Sequence, residues 1–210
     1  MKPEKKEKLA QFHRENIVET AEKLFAQKGI AQTTMDDIAK TADYSKSTIY
    51  VYFRSKEEIY YYIIYEHMCS LKELVGEALV HTEFVSCYQR LCDGLVTFYE
   101  QYPLYFASIM GKISTTEKDL AEQDILRQIY DVGEEINDRI LSLFQKGIKE
   151  KVLREDLSIL PAAFTLWASI GNLIPFAYEK EAYISKRMQM SRDEFLQYGF
   201  GTLLDAVRRR

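Results

Sequence analysis

The chain has 210 residues, with 28 Lys and Arg against 32 Asp and Glu, so its formal net charge is −4. That length fits one large domain or two small ones, and a hydrophobic content of 47% excludes a disordered chain. Only 9 Gly and 4 Pro are present, which excludes collagen-like and linker-rich architectures. The acidic balance argues against a protein that binds nucleic acid through its total charge.

Charge is unevenly distributed along the chain. Residues 1–56 hold 11 Lys and Arg against 8 Asp and Glu, a net of +3, and the remaining 154 residues hold 17 against 24, a net of −7. Such a split is typical of a nucleic-acid module joined to another domain. We therefore predict two domains, residues 1–56 and 57–210.

The N-terminal residues are charged and lack the apolar centre of a signal peptide. No stretch reaches the ~20 uninterrupted apolar residues that span a bilayer. The best candidate, residues 157–178, is interrupted by Pro161, Asn172 and Pro175 and is interpreted as a buried helix. Three cysteines without a CxxC pair are typical of a reducing compartment. We expect a cytoplasmic protein without a membrane partner.

Apolar residues recur at spacings of three and four along most of the chain, and alternating strand-like runs are absent, so the sequence predicts an all-α protein. The first helix is predicted over residues 7–28, with Gly29 ending it. Thr34 is placed to cap a second, short helix that has acids in its first turn. A capping box that begins at Ser55 opens a long helix to about residue 79.

Residues 34–53 have the layout of a helix-turn-helix, with two short helices joined by a three-residue turn. Ser45 caps the second of these helices, and Ile49 and Phe53 lie four residues apart and face inward. No acid occurs from residue 44 to residue 56, as a segment close to phosphates requires. The outward residues are hydroxyl donors, one cation and two phenols, which hydrogen-bond phosphates and base edges: Lys46, Ser47, Thr48, Tyr50 and Tyr52.

The stretch from Ile17 to Tyr60 resembles the N-terminal DNA-binding domain of the TetR family of bacterial transcriptional regulators. The matching features are the end of the first helix at Leu24-Phe25, the Gly29 turn, Thr33-Thr34, Asp37-Ile38-Ala39, Ser47-Thr48-Ile49-Tyr50, Tyr52-Phe53 and Ser55-Lys56-Glu57. This stretch is about a quarter of the chain. The resemblance implies a three-helix helix-turn-helix domain, followed by a larger helical domain of about nine helices for ligand binding and dimerisation.

Three positions depart from the family pattern. Asp43 stands where the family usually has Gly, and Asp tolerates a left-handed backbone. Tyr44 and Lys46 stand where the family has smaller residues. We expect Tyr44 and Lys46 to give this protein its own operator preference.

The resemblance also implies DNA contacts for individual residues. Thr34 is expected to hold a phosphate at the start of the second helix. Tyr52 and Lys56 are expected to hold the flanking phosphate backbone. The residues expected at the major groove or its edge are Ser45, Lys46, Ser47, Thr48 and Tyr50.

Helix-turn-helix proteins usually dimerise, so that two recognition helices meet major grooves roughly 34–36 Å apart. Two late helices, predicted over residues 160–178 and 192–209, have apolar faces, and the resemblance implies a four-helix bundle made by them and their symmetry mates. Gly171 is expected to allow close approach of a partner helix. An intramolecular core alone is the alternative. The predicted interface comprises Phe164, Ala168, Gly171, Pro175, Phe195, Tyr198, Thr202 and Leu203.

The middle of the chain is rich in aromatic residues, and the whole chain has 15 tyrosines. Each tyrosine adds apolar area and a hydroxyl that requires a partner. Such residues form small-molecule cavities, although an aromatic stripe at helical spacing can equally be core. The resemblance favours a pocket for an apolar or aromatic effector, lined by Tyr65, Met68, Tyr88, Cys92, Phe98, Tyr102, Tyr105, Phe106, Met110 and Trp167.

Patterns for catalysis or metal binding are not found. The spacings of His67 to Cys69 and of Cys87 to Cys92 match no structural zinc pattern, and adjacent acids point apart on a helix. No nucleophile elbow, phosphate loop or dinucleotide fingerprint is present. We predict no catalytic residue, no metal and no cofactor.

Together these features predict a homodimeric bacterial repressor that binds a palindromic operator in double-stranded DNA and is released by a small ligand. Two alternatives stay open. One is an all-helical enzyme or ligand-storage protein that keeps the helix-turn-helix as scaffold. The other is a regulator without small-molecule input.

Overall fold

The computed structural model describes residues 3–113 and 115–209, and it confirms the all-α class. Within these residues the only β-type pairing is an isolated bridge between Leu153 and Arg208. Eight α-helices and one π-helical turn, Ser108–Lys112, follow the three helices at the N-terminal end. The α-helices are α1 Pro3–Lys28, α2 Met35–Thr41, α3 Lys46–Tyr52, α4 Lys56–Ala78, α5 Phe84–Gln101, α6 Pro103–Ala107, α7 Glu117–Glu122, α8 Asp124–Lys149, α9 Ile159–Glu179, α10 Glu181–Met188 and α11 Arg192–Val207.

The chain folds into two compact units. The first unit comprises the residues up to His67 together with 115–130, and the second comprises 68–114 together with the residues from Asp131 onward. The predicted domain boundary between residues 56 and 57 lies at the beginning of α4. The division into a DNA-binding domain before residue 57 and a ligand-binding domain after residue 56 stays a prediction.

Local sequence signals determine the turns of the first unit. Gly29 ends α1 with a φ of 83°, a left-handed conformation that glycine adopts without strain. Asp43 has a φ of 60° in the turn after α2, so the Asp at this position does adopt the left-handed backbone. Thr34 and Ser45 are the N-caps of α2 and α3, as predicted.

The core of the first unit brings together the inward faces of α1 to α4. Ile49 and Phe53 are fully buried, in agreement with their predicted inward positions. At the start of α4, Ser55 accepts a hydrogen bond from the Glu58 amide (3.2 Å), but the Glu58 carboxylate accepts from the amide of Arg54. The other main core residues are Ile17, Ala21, Phe25, Ile38, Ala39, Ile59 and Ile63.

In the second unit α9 packs against both α5 and α11. A buried hydrogen bond of 2.8 Å from the Tyr88 hydroxyl to the Phe200 carbonyl oxygen joins α5 to α11. Burial raises the pKa of the Tyr88 phenol, so it remains a neutral donor. The core of this unit therefore includes a satisfied polar contact among apolar side chains, which include Leu91, Leu95, Ile170, Ile174, Leu196 and Leu204.

The interpretation of residues 157–178 as a buried helix is correct for one face only. By length and composition α9 could cross a membrane, and 28% of its most apolar window is buried inside the structure. Leu166, Ile170 and Ile174 are buried, whereas Leu160 and Phe164 are exposed. α9 therefore has an exposed apolar face in addition to the face that it buries.

Candidate nucleic-acid interface and ligand cavity

An open groove of about 410 Å³ lies on the first unit, between the start of α2, α3 and the start of α4. It brings together four of the residues predicted to contact DNA, Thr34, Lys46, Tyr50 and Lys56, with Arg54 beside them. Tyr50 is 47% exposed, and its phenol is accessible. The groove therefore combines cations, hydroxyls and an aromatic ring on one surface, together with two acids, Asp36 and Glu57.

Lys46 is the exposed cation of α3, and it is held by an acid of α2. Its Nζ lies 2.7 Å from an oxygen of Asp36. The hydrogen bond and the charge of Asp36 raise the pKa of Lys46, so the ammonium stays protonated. In the free protein the cation predicted to contact DNA is thus neutralised by an intramolecular partner.

The hydroxyl groups at the start of α3 form a local network. Ser45 Oγ accepts from the Thr48 amide at 3.1 Å and lies 2.8 Å from Ser47 Oγ and 2.7 Å from Thr48 Oγ1. Ser45 is therefore engaged as a helix cap, and Ser47 and Thr48 are oriented by it.

Thr34 is tied to α2 in the same way. It forms a reciprocal capping box with Asp37, whose carboxylate also accepts from Lys28 Nζ at 2.7 Å. The hydrogen bond from Lys28, followed by those from Thr34, holds the pKa of Asp37 well below its usual range. The start of α2 is thus fixed against the end of α1.

Tyr44 and Tyr52 both contact α1 through His13. The Tyr44 hydroxyl lies 2.7 Å from His13 Nδ1 and accepts from Asn16 Nδ2 at 3.2 Å. The ring centroids of His13 and Tyr52 are 5.7 Å apart. Two tyrosines predicted to contact DNA are therefore oriented by a histidine that the sequence patterns did not single out.

Lys56 has a different environment from the one expected of a phosphate contact. Its Nζ donates to the carbonyl oxygens of Ile30 (2.9 Å), Ala31 (3.2 Å) and Thr33 (3.0 Å). An ammonium has three protons, and three acceptors are present. Lys56 therefore holds the loop between α1 and α2, and a role in phosphate contact stays a prediction.

Two exposed residues beside the predicted set were missed. Val51 is 76% exposed on α3, and Arg54 follows the helix and lines the groove. An exposed apolar residue on such a helix is suited to the methyl group of thymine, and an arginine to phosphate or guanine. Both lie within the acid-free run from residue 44 to 56, which was the signal that could have found them.

The second unit contains a cavity of about 390 Å³ between α5, α6, the π-helical turn and α9. Of the ten predicted ligand residues, Phe106 and Met110 line it. The structure adds the amide of Asn172 and the carboxylate of Glu179, and burial followed by the charge of Glu179 raises the pKa of Tyr99. The other lining residues are Pro103, Ala107, Gly111, Ala168, Gly171, Pro175 and Phe176.

The remaining predicted ligand residues lie elsewhere. Tyr65 belongs to the first unit, and Trp167 lines a separate small crevice with Phe164. Tyr102 is half-buried, with its ring centroid 5.0 Å from that of Phe98. The buried core holds Met68, Tyr88, Cys92, Phe98 and Tyr105.

The predicted dimer residues fall on neighbouring faces of α9 and α11. Phe164 is 48% exposed and Tyr198 is 68% exposed, and Ala168 and Thr202 are also exposed. Pro175, Phe195 and Leu203 are half-buried. Both helices therefore expose some of the residues predicted for the dimer interface.

Gly171 has a different neighbour from the one predicted. It is buried, and a Cβ atom at this position would come within 2.7 Å of the Met110 side chain of the same chain. The glycine therefore makes room for the π-helical turn, which corrects the expectation that it admits a partner helix.

Among the described residues there is no group of three or more His, Cys, Asp or Glu side chains that could hold a metal ion. His67 instead lies 2.8 Å from a carboxylate oxygen of Glu22. Burial raises the pKa of Cys92 to about 12, so its thiol is neutral at physiological pH.

Comparison with known proteins agrees with this architecture. Residues 17–63 match a family model described as "Bacterial regulatory proteins, tetR family". The matched segment contains the end of α1, all of α2 and α3, and the start of α4.

Similar proteins and solved structures extend the similarity beyond this segment. The chain is 25% identical over 154 residues to the Staphylococcus aureus "Biofilm operon icaADBC HTH-type negative transcriptional regulator IcaR", covering 72% of this chain and 79% of that protein. It is 41% identical over 63 residues to the Bacillus subtilis "Uncharacterized HTH-type transcriptional regulator YhgD", covering 30% of this chain and 33% of that protein. The structure of Bacillus subtilis FadR with stearoyl-CoA has the same fold, with a TM-score of 0.67, 15% identity and coverage of 91% and 98%.

Proposed function

The chain belongs to the TetR family of bacterial transcriptional regulators, and on that basis we propose that it is a cytoplasmic repressor that binds a palindromic operator as a homodimer and is released by a small molecule. Members of this family bind operator DNA, typically as dimers, and respond to small-molecule effectors. They are normally not enzymes.

The groove on the first unit is the observation that supports DNA binding best. Lys46 and Tyr50 line it from successive turns of α3, and Arg54 lines it just after the end of that helix. The run from residue 44 to 56 has no acid to repel phosphates. Serine, threonine and tyrosine hydroxyls add hydrogen-bond donors and acceptors for backbone and bases. The net charge of −7 on residues 57–210 would repel DNA and favour approach through the basic end.

Repression is the direction that the relatives favour, since IcaR is named a negative regulator. The proposed dimer uses the exposed faces of α9 and α11, with Phe164 and Tyr198 as apolar anchors. Two symmetry-related recognition helices then require an operator with two half-sites, about 34–36 Å apart.

The cavity in the second unit supports a ligand-responsive repressor. Rings and aliphatic groups form much of its lining, and the Tyr99 phenol, the Asn172 amide and the Glu179 carboxylate are its polar side-chain groups. None of the lining side chains that the structure describes is cationic. We therefore propose a neutral or cationic apolar molecule as effector, in contrast to the acyl-CoA bound by FadR.

In this mechanism the effector favours a conformation in which the spacing between the recognition helices does not fit the operator. Operator affinity then falls by a factor that is limited by the ratio of the effector's affinities for this conformation and for the DNA-binding one. The α4 helix is the covalent link, because its residues belong to both units.

The first test is selection of bound duplexes from a random DNA pool, followed by anisotropy titrations with one selected duplex at several salt concentrations. A regulator gives a half-site repeat and a logarithmic affinity that falls linearly with the logarithm of salt concentration. The double variant Lys46→Ala/Tyr50→Ala is expected to lose at least about tenfold in affinity. The control is Tyr183→Ala/Lys186→Ala, which removes the same residue types from exposed positions on α10. Failure to select any duplex, or equal affinities for both double variants, would overturn the proposal.

A further inference from the structure

His13 lies at the centre of a small polar cluster in the first unit. It is half-buried on α1, and it precedes the residues that match the family model. Its Nδ1 lies 2.7 Å from the Tyr44 hydroxyl, and its ring is in edge contact with the Tyr44 ring, with centroids 5.4 Å apart. The Tyr52 ring lies on another side of the imidazole, with centroids 5.7 Å apart.

The hydrogen bonds of Tyr44 depend on the protonation of this imidazole. A phenol has one proton to donate and two lone pairs to accept with. Asn16 Nδ2 already donates to the phenolic oxygen at 3.2 Å. In the neutral tautomer that carries its proton on Nε2, which the proposal requires, His13 Nδ1 is an acceptor and the Tyr44 proton is directed inward to it.

Protonation of His13 reverses this bond. Both ring nitrogens of an imidazolium are donors, so Nδ1–H must then donate to Tyr44. With Asn16 and His13 both donating, the phenolic oxygen has accepted two hydrogen bonds, and its own proton has to point away from α1. An outward O–H is a donor for a phosphate oxygen or a base acceptor.

We propose that His13 is a positioning residue for operator DNA, whose protonation turns the Tyr44 hydroxyl outward as a donor and so links DNA affinity to pH. The proposal rests on the proposed function, because it requires Tyr44 to face DNA. The cation adds to the attraction for phosphates in the same direction. Imidazole is the side chain whose protonation both adds a positive charge and turns a ring nitrogen from an acceptor into a donor.

The titratable and charged groups near His13 bear on its hydrogen bond with Tyr44. In the part of the chain that the structure describes, the phenols of Tyr44 and Tyr52 contact His13 from other segments. On α1 its chain neighbour Arg14 is cationic, and Glu15 accepts from Gln11 at 2.9 Å. Asp43 precedes Tyr44 in the turn and is exposed.

The test measures the affinity of the full-length protein for one duplex selected from a random pool, by fluorescence anisotropy at pH 6.0 and pH 8.0 and constant ionic strength. The wild type is expected to bind about threefold to tenfold more tightly at pH 6.0, since one linked proton changes affinity by at most tenfold per pH unit. His13→Gln and Tyr44→Phe are each expected to lose most of this difference. His81→Gln is the matched control, because His81 is an exposed histidine that belongs to the second unit.

Each outcome is decisive. If no variant or wild-type protein binds the duplex at any pH, the proposed function fails. If His13→Gln weakens binding equally at both pH values, His13 is structural and the pH linkage is wrong. If Tyr44→Phe keeps the pH dependence that His13→Gln loses, the hydroxyl does not carry the linkage. Circular dichroism and thermal melting of each variant identify any loss of folding. Calorimetry in two buffers then measures proton uptake when the wild type binds DNA, and this tests the same linkage without a substitution.

Discussion

Lys46 and Asp36 form an ion pair of 2.7 Å between α3 and α2, so the exposed cation of the recognition helix is held by an acid of its own domain. DNA must replace this carboxylate by a phosphate. We therefore expect Asp36→Asn to raise operator affinity by about threefold at low salt, because it removes both a competitor for Lys46 and a negative charge near the phosphates. Anisotropy titrations at several salt concentrations measure the effect, which should shrink as salt increases.

Asp156→Asn is the matched control for that gain. Asp156 is exposed and pairs with Arg154 in the second unit, so its removal changes the total charge by the same amount. If both variants gain equally, the effect comes from net charge and the Lys46–Asp36 pair has no part in it.

The helix-turn-helix could be predicted closely because its signals are local. Thr34 and Ser45 cap helices that begin at the next residue, and Gly29 and Asp43 take the left-handed conformations that their chemistry permits. Each of these interactions joins residues within four positions of one another. A periodicity of three and four was enough to assign the inward side of α3.

Partners that are distant in the sequence could not be predicted. Tyr44 is paired with a residue 31 positions away, and Lys56 with a carbonyl 23 positions away. Pattern and propensity indicate which side chains are polar, but the partner depends on how α1 packs in the unit. This is why the same residues were assigned to DNA without their intramolecular bonds.

The sequence indicates a cavity with aromatic lining in the second unit, but it does not indicate most of the residues that line it. Gly111 has a φ of 104° inside a π-helical turn, and Met110 next to it occupies the space left by Gly171. Neither feature follows from the aromatic stripe, which lies mostly in the core. The cavity is set by packing between this turn and α9, and the sequence pattern of each helix alone does not contain that information.

Lys56 provides a test that separates a structural role from a DNA contact. Lys56→Met removes the donor shared by the carbonyls of Ile30, Ala31 and Thr33. We expect the free energy of unfolding to fall by about 1–2 kcal/mol, the usual cost of leaving hydrogen-bonding groups unsatisfied. Urea denaturation measures it, and the salt dependence of operator binding should be unchanged.

The comparison for Lys56 is Lys23→Met, because Lys23 is an exposed lysine of the same unit that pairs with Glu19 four residues before it. Its substitution should leave stability nearly unchanged. An unchanged stability in Lys56→Met, with a reduced salt dependence of binding, would show that Lys56 contacts phosphate after all.

The lowered pKa of Asp37 predicts that part of the folded protein's stability is lost in acid. Its pKa is held below the ordinary value of 3.8, first by Lys28 and then by Thr34. A carboxyl with a lowered pKa in the folded state stabilises the protein fully above its unfolded value, and this stabilisation is lost as the pH falls through the folded value. Asp37→Asn should therefore lower the thermal midpoint at pH 7, with a difference that shrinks as the pH falls below 3.8.

Thermal melts from pH 7 downward measure this dependence, with Asp131→Asn as a control for an exposed acid on α8. Lys28→Met should reproduce part of the loss at pH 7, because it removes the first of the two causes. A difference between Asp37→Asn and wild type that stays constant with pH would contradict the assignment.

Phe164 tests the proposed dimer. It is 48% exposed on α9, and a carboxylate there would be buried without a partner if a second copy covers this face. We expect Phe164→Asp to raise the dimer dissociation constant by at least about tenfold, as measured by analytical ultracentrifugation. Tyr183→Asp on α10 places the same charge at another exposed aromatic position, and equal dissociation of both variants would place the interface elsewhere.

Ala107 tests the cavity as the effector site. It lies on α6 and lines the cavity with an exposed methyl group, so Ala107→Trp fills the space without removing a core side chain. We expect binding of Nile red, a neutral aromatic dye, to weaken by at least about tenfold, because an overfilled site excludes ligand. Operator binding should be retained. The control is Leu104→Trp, on the same helix but outside the lining, where the residue is 43% exposed. Equal loss of dye binding in both variants would show that the dye binds at another place on α6, and undiminished binding in Ala107→Trp would exclude this cavity as the site.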